Sequence, residues 1–159
     1  VFKYEDTDGK PLDLPELKPR ELPPLIEVAE QWDISVSWQS FQGNLYGLYS
    51  PGRKEIVLAT HDESVFFHEL AHAAHERVKG HLENGQEWRQ EIVAELTATT
   101  LAHLYKRQTN DGNAYQYIRR YADKAGKDVH KACLSVIADV GKCLELIMEE
   151  KEEQKASFA

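Results

Sequence analysis

The segment His68-Glu69-Leu70-Ala71-His72 constrains this chain more than any other. On an α-helix, residues four apart lie about 40° apart in azimuth, one turn above the other. Both imidazoles then leave one face and can meet a single tetrahedral metal ion. The flanking Val65, Phe66, Ala73 and Ala74 supply the apolar periodicity that such a helix needs. Glu69 falls at the edge of the same face, where its carboxylate can take a proton from a metal-activated water without binding the metal. Polar side chains on an apolar helix face are costly to bury unless paired or metal-bound. The pattern therefore points to a metal helix with Glu69 as catalytic base.

A catalytic zinc needs a third protein ligand. Six residues after His72 stands Val78, which excludes the extended three-histidine pattern. His75 and His81 stay open as ligands. The stronger candidates lie in Glu91-Ile92-Val93-Ala94-Glu95, where two carboxylates four apart share a helix face that continues through Ala98 and Ala102. A glutamate about twenty residues after the second histidine, on an antiparallel helix, is the gluzincin arrangement. We assign Glu91 as ligand and Glu95 as the group that holds a ligand histidine by its other nitrogen; the exchanged roles are the alternative. Zn²⁺ is the expected cofactor, and manganese, iron, cobalt or nickel also suit two histidines and a carboxylate. Tyr49, Tyr115, Tyr117, Tyr121 and His81 are candidates to stabilise an oxyanion or touch substrate, with Tyr117 and Tyr49 taken forward.

The rest of the chain reads as an α+β domain. Residues 1–24 are rich in proline and charge and read as a lead-in from a missing N-terminal domain; residues 25–159 form the domain itself. A short helix is expected over 24–32. Ile34, Val36 and Trp38 alternate with polar residues and mark a strand. A turn at Gln42-Gly43-Asn44, a strand over 45–49, a turn at Pro51-Gly52 and a strand over 55–59 complete a small antiparallel meander. Its last strand leads straight into the metal helix and is expected to offer an edge to an extended substrate. Four helices follow, over about 62–79, 86–107, 114–124 and 128–150, with Asp62 or Ser64 and later Asp128 as N-caps.

Composition excludes several classes. No apolar run approaches a membrane span, and Val1-Phe2-Lys3 starts neither with Met nor with an apolar leader, as in a piece cut from a longer chain. The net charge of −8, with basic residues only in short pairs, argues against nucleic-acid binding by this segment. Cys133 and Cys143, ten apart in a helical pattern, face different ways and are expected to be free thiols in the cytoplasm.

The sequence resembles the C-terminal zincin-like metallopeptidase domain of ArdC-type antirestriction proteins. The likeness begins at Val1-Phe2 and runs through Asp6-Thr7-Asp8-Gly9, Tyr49-Ser50-Pro51 and Glu55-Ile56-Val57-Leu58. It continues through Phe67-His68-Glu69-Leu70-Ala71-His72 and Glu91-Ile92-Val93-Ala94-Glu95-Leu96 to Asn113 and Tyr117-Ile118. ImmA/IrrE-type regulatory peptidases resemble it more weakly. The resemblance implies a protein or peptide substrate, metal ligation by His68, His72 and Glu91, and Glu69 as base. It also implies contact with nucleic acid only through the missing N-terminal domain. The chain departs from the family pattern around residues 80–86 and at Arg119-Arg120-Tyr121. Two other readings compete: a non-catalytic module in which the metal only staples two helices, and an acidic decoy that mimics DNA. The presence of Glu69 favours the enzyme, because a structural metal needs no such carboxylate.

Overall fold

The computed structural model describes residues 18–39, 46–83 and 85–157, with side chains to residue 152. The expected turn at 42–44 and most of the 1–24 lead-in lie outside these residues. The element order is α1 (Ile26–Gln31), β1 (Ser35–Trp38), β2 (Gly47–Ser50), β3 (Glu55–Leu58), α2 (Glu63–Lys79), α3 (Trp88–Leu104), α4 (Asp111–Lys124) and α5 (Val129–Ser157). The domain is thus α+β, with the order of elements expected from the sequence.

The sheet differs from the expected meander. Its strand order is β1-β3-β2, with β1 parallel to β3 and β2 antiparallel to it. The third strand is therefore central, and the edge beside the metal helix is β2. The reason is burial. Ile56, Val57 and Leu58 are all inaccessible, and a strand covered on both faces belongs in the middle of a sheet. β1 alternates between exposed and half-buried positions, as an outer strand does.

Local chemistry sets the helix limits. Asp62 caps α2 by accepting from the Ser64 backbone N–H at 2.9 Å and from its hydroxyl at 2.7 Å. Gly80, at φ 83°, ends the helix in a left-handed conformation that costs glycine little. Glu87 caps α3 through the N–H groups of Arg89 and Gln90. Asn110 caps α4, which starts three residues earlier than expected, and Asp128 caps α5. α5 runs seven residues past its expected end, to Ser157.

α2 and α3 form the centre and run antiparallel. Arg107, just beyond α3, pairs with Glu63 at the start of α2 at 2.8 Å. Phe67 meets Tyr105 with ring centroids 6.0 Å apart. Between them, Ala71, Ala74, Ala94 and Ala98 are buried, and side chains this small let two helices approach closely. Phe66, Phe67, Leu70, Ile92, Leu101, Tyr121 and Ile147 complete one continuous core. Each contributes roughly 1.5–3 kcal/mol by leaving water. Both cysteines are free, Cys143 fully buried on α5. Among the described residues, no helix is long and apolar enough to cross a membrane.

A polar tie joins α2 to α5. Lys79 Nζ lies 2.9 Å from Asp139 Oδ2, and His75 Nε2 lies 3.9 Å from the same oxygen. Burial pushes the Asp139 carboxyl up, but Lys79, with His75 and Lys142, outweighs it and holds the group below the ordinary aspartate value. A depressed folded-state value stabilises the protein fully above the unfolded carboxyl's pKa of about 3.9, and the gain fades as pH falls through the folded value. Lys79 is half exposed, so the pair is worth about 1 kcal/mol. Asp139→Asn should lower Tm at pH 7 by about 2–4 °C. The gap to the wild type should close below about pH 4, as read by circular-dichroism melts across pH.

Candidate metal centre

The close packing of α2 on α3 brings three predicted residues together. Ligand atoms of His68, His72 and Glu91 all lie within 4.8 Å of one another. His68 Nε2 is 3.7 Å from Glu91 Oε2, and His72 Nε2 is 4.0 Å from Glu91 Oε1. The two imidazoles meet edge to face at 4.9 Å between centroids. Glu95 sits one turn along α3 and reaches the far side of His68, its Oε2 3.0 Å from Nδ1. A carboxylate there favours the tautomer with the proton on Nδ1 and turns the Nε2 lone pair toward Glu91 and His72. His75 and His81 stand elsewhere. His75 is buried facing Asp139, and His81 is largely exposed, 3.7 Å from Glu83.

The donor set suits a divalent transition metal: two nitrogen ligands and one carboxylate, one imidazole oriented from behind by a second carboxylate. The protonation pattern agrees. Burial works against charge on His68, but the carboxylates of Glu91 and Glu95 outweigh it and raise its pKa to about 10. A metal cation among these donors takes over the role of that proton. Burial, helped by the charge on His68, lowers His72 to about 3 and leaves it a neutral imidazole, the form that ligates. Burial opposes ionisation of Glu91, yet His68, Tyr117 and His72 together hold it below the ordinary glutamate value.

Two tyrosines that line the cleft each hold a carboxylate. The Tyr117 hydroxyl donates to Glu91 Oε2 at 2.5 Å, and its ring stands edge-on to His68. The Tyr49 hydroxyl donates to Glu76 Oε2 at 2.5 Å, one turn beyond His72 on α2. Each proton is committed, and each phenol is held above its ordinary value, first by burial and then by its carboxylate partner. Tyr121 packs on Tyr117 at 4.9 Å between centroids and is buried. Tyr115 is exposed on the outer side of α4 and does not line the cleft.

Glu69 is 8% exposed and lies against β2 rather than among the three donors. Burial raises its pKa to about 7 even though the charge on His68 and a hydrogen bond from the Tyr49 backbone N–H favour the anion. Gly47 makes this contact fit. A Cβ built there would lie 2.6 Å from Val65 Cγ1 and 2.8 Å from Glu69 Oε1. The sequence reading missed Gly47, although an isolated glycine in a strand pattern signals close approach of another group. The Ala59 N–H donates to the Tyr46 carbonyl at 2.8 Å, and these two residues face each other in the β2–β3 register. In an antiparallel ladder such bonded pairs alternate, so Leu48 and Ser50 bond β3. The backbone groups of Gly47 and Tyr49 point to the open edge.

The centre opens into a cleft of about 1250 Å³ between β2, the α2–α3 seam, α4 and the loop before α3. Gln90 fixes that loop by bonding both backbone groups of Glu83, accepting at 2.6 Å and donating at 3.1 Å. Comparison of the chain with protein-family models, curated proteins and solved structures finds no match.

Elemental analysis of purified protein tests the donor assignment. Wild type should hold about one divalent metal per chain after loading with zinc; Glu91→Gln should lose most of it, and Glu69→Gln should keep it. Tyr117→Phe should weaken metal affinity by about tenfold in a competitive chelator titration, since removing a partner of a ligating carboxylate costs that order.

Proposed function

We propose that this domain is a zinc-dependent peptidase of the gluzincin type. It hydrolyses a peptide bond of an extended substrate laid along β2. The observation that carries the reading is Glu69: a buried carboxylate beside the His68–His72–Glu91 donor set, facing a roomy cleft at an open strand edge. Bound there, zinc supplies a Lewis acid that lowers the pKa of water and polarises a carbonyl oxygen. Glu69 takes the proton from the attacking water and passes it to the leaving amine, so that proton count and charge balance over the step. Gly47 leaves room for Glu69 under the strand, and the Tyr49 N–H holds one side of its carboxylate. The free Gly47 backbone groups pair with the substrate main chain, as in strand addition. Glu95 positions His68, and Tyr117 positions Glu91.

A metal that only staples α2 to α3 would leave Glu69 without a task, and burying such a group for nothing is costly. The wider reading, service in an ArdC-type antirestriction protein, rests on the resemblance in sequence. It makes the peptidase one part of a longer protein that guards incoming DNA.

A peptide-library cleavage assay with zinc-loaded protein is the direct test. Wild type should cleave, and Glu69→Gln, with its metal retained, should lose about 10²–10⁴-fold in kcat. Gly47→Ala should keep its metal, fold with a loss of about 1–3 kcal/mol from overpacking against Val65, and lose at least tenfold in kcat as Glu69 is displaced. A metal-replete wild type that cleaves no member of a broad library would sink the peptidase reading.

A further inference from the structure

The cleft is strongly one-signed. Among the described residues Asp62, Glu69, Glu83, Glu91, Glu95 and Asp111 line it, against one cation outside the histidines, Arg120. Such a wall favours a metal ion and disfavours an acidic substrate unless one group offsets it. Arg120 is placed for that. Its guanidinium lies over the Tyr121 ring, 5.9 Å from the centroid. Tyr121 packs on Tyr117, and Tyr117 bonds Glu91. Stacking on an aromatic face holds a guanidinium and leaves its in-plane donors free. Among the described residues Arg120 has no carboxylate within ion-pair reach. Its neighbour Arg119 pairs with Asp123 at 3.6 Å within α4 and does not line the cleft.

Position narrows the role. Arg120 follows Tyr117 by one turn of α4, about 4.5 Å along the axis. It lies toward the Gln86–Gln90 end of the cleft, away from Asp62 and Asp111 at the starts of α2 and α4. An extended substrate advances about 3.3 Å per residue, so a side chain as long as arginine reaches a group one or two residues from the bond being broken. Building on the peptidase reading, we propose that Arg120 is a specificity-determining residue. It binds a substrate carboxylate, either an acidic side chain or a free C-terminus, one or two residues from the scissile bond.

The test uses three peptides built on one cleaved sequence: one with Glu near the scissile bond and an amidated C-terminus, one without Glu but with a free C-terminus two residues from it, and one neutral and amidated. kcat/KM is measured on zinc-loaded wild type, Arg120→Gln, Arg120→Glu and Arg119→Gln. Binding is read in parallel by fluorescence anisotropy on zinc-loaded Glu69→Gln, with and without Arg120→Gln. Wild type should prefer one carboxylate peptide over the neutral one, and which one identifies the source. Arg120→Gln should reduce that preference about tenfold, the order expected for a charge-assisted pair at a solvated site, and Arg120→Glu should reverse it toward the neutral peptide. Arg119→Gln should leave the preference as it was. Cleavage of all three peptides at similar rates, or a preference that survives Arg120→Gln, overturns the role of Arg120 and spares the peptidase reading. Absence of cleavage overturns that reading instead. The anisotropy series then decides the carboxylate question alone, and equal binding with and without Arg120 overturns it.

Discussion

Everything in this site depends on how closely α2 approaches α3. Donors from two helices gather within 4.8 Å only when those helices pack side by side with their donor-bearing faces adjoining. The alanines at 71, 74, 94 and 98 permit that approach, while Phe66, Phe67, Ile92 and Leu101 fill the space on either side. The polar seam and the apolar core are thus one packing solution. His68, His72, Glu91 and Glu95 are buried or half-buried because their neighbours are. Buried charge is tolerated because each group has a partner: Glu95 behind His68, Tyr117 on Glu91, Glu91 between the histidines.

The sheet adds the second half of the geometry. β3 is buried on both faces and anchors the sheet to the core; β2 is hung on its outer side with one edge open. Because β2 lies directly over the start of α2, a side chain at position 47 would collide with Val65 and Glu69. The absence of a side chain there lets the strand edge and the Glu69 carboxylate share one wall of the cleft. In the proposed peptidase, that arrangement places an extended chain with one of its carbonyls near the donor set.

Much of this was legible in the residues. The four-residue spacing of His68 and His72, and of Glu91 and Glu95, specifies one helix face each, and short-range periodicity survives into any fold that keeps the helices. The caps at Asp62 and Asp128 were legible for the same local reason. The strand order was not. Hairpin-like turn signals favour neighbours in sequence, whereas the parallel pairing of β1 with β3 is a long-range choice made by burial. Its trace was present in the unbroken apolar run Ile56-Val57-Leu58, which lacks the alternation of an edge strand. The partners of Tyr49 and Tyr117 were likewise hidden, since a tyrosine hydroxyl finds a carboxylate 26 or 27 residues away only through the tertiary fold.

The electrostatics of the cleft join these parts. On the proposed reading, carboxylates gathered around a cation also set the field that a substrate meets on entering. On that reading the acidic wall is a filter as well, disfavouring anionic chains along most of its length. Arg120 stands at the one end where that field is offset. Its guanidinium lies over the ring of Tyr121, which also packs on Tyr117, the donor to the Glu91 carboxylate. Tyr121 does not depend on that contact: Lys124 also lies over its ring, 4.9 Å from the centroid, and the ring is buried in the core, so a change at 120 leaves Tyr117 and Glu91 in place. On the proposed reading, the offset supplied by Arg120 is therefore separable from the orientation of the Glu91 carboxylate, which the buried tyrosine pair maintains.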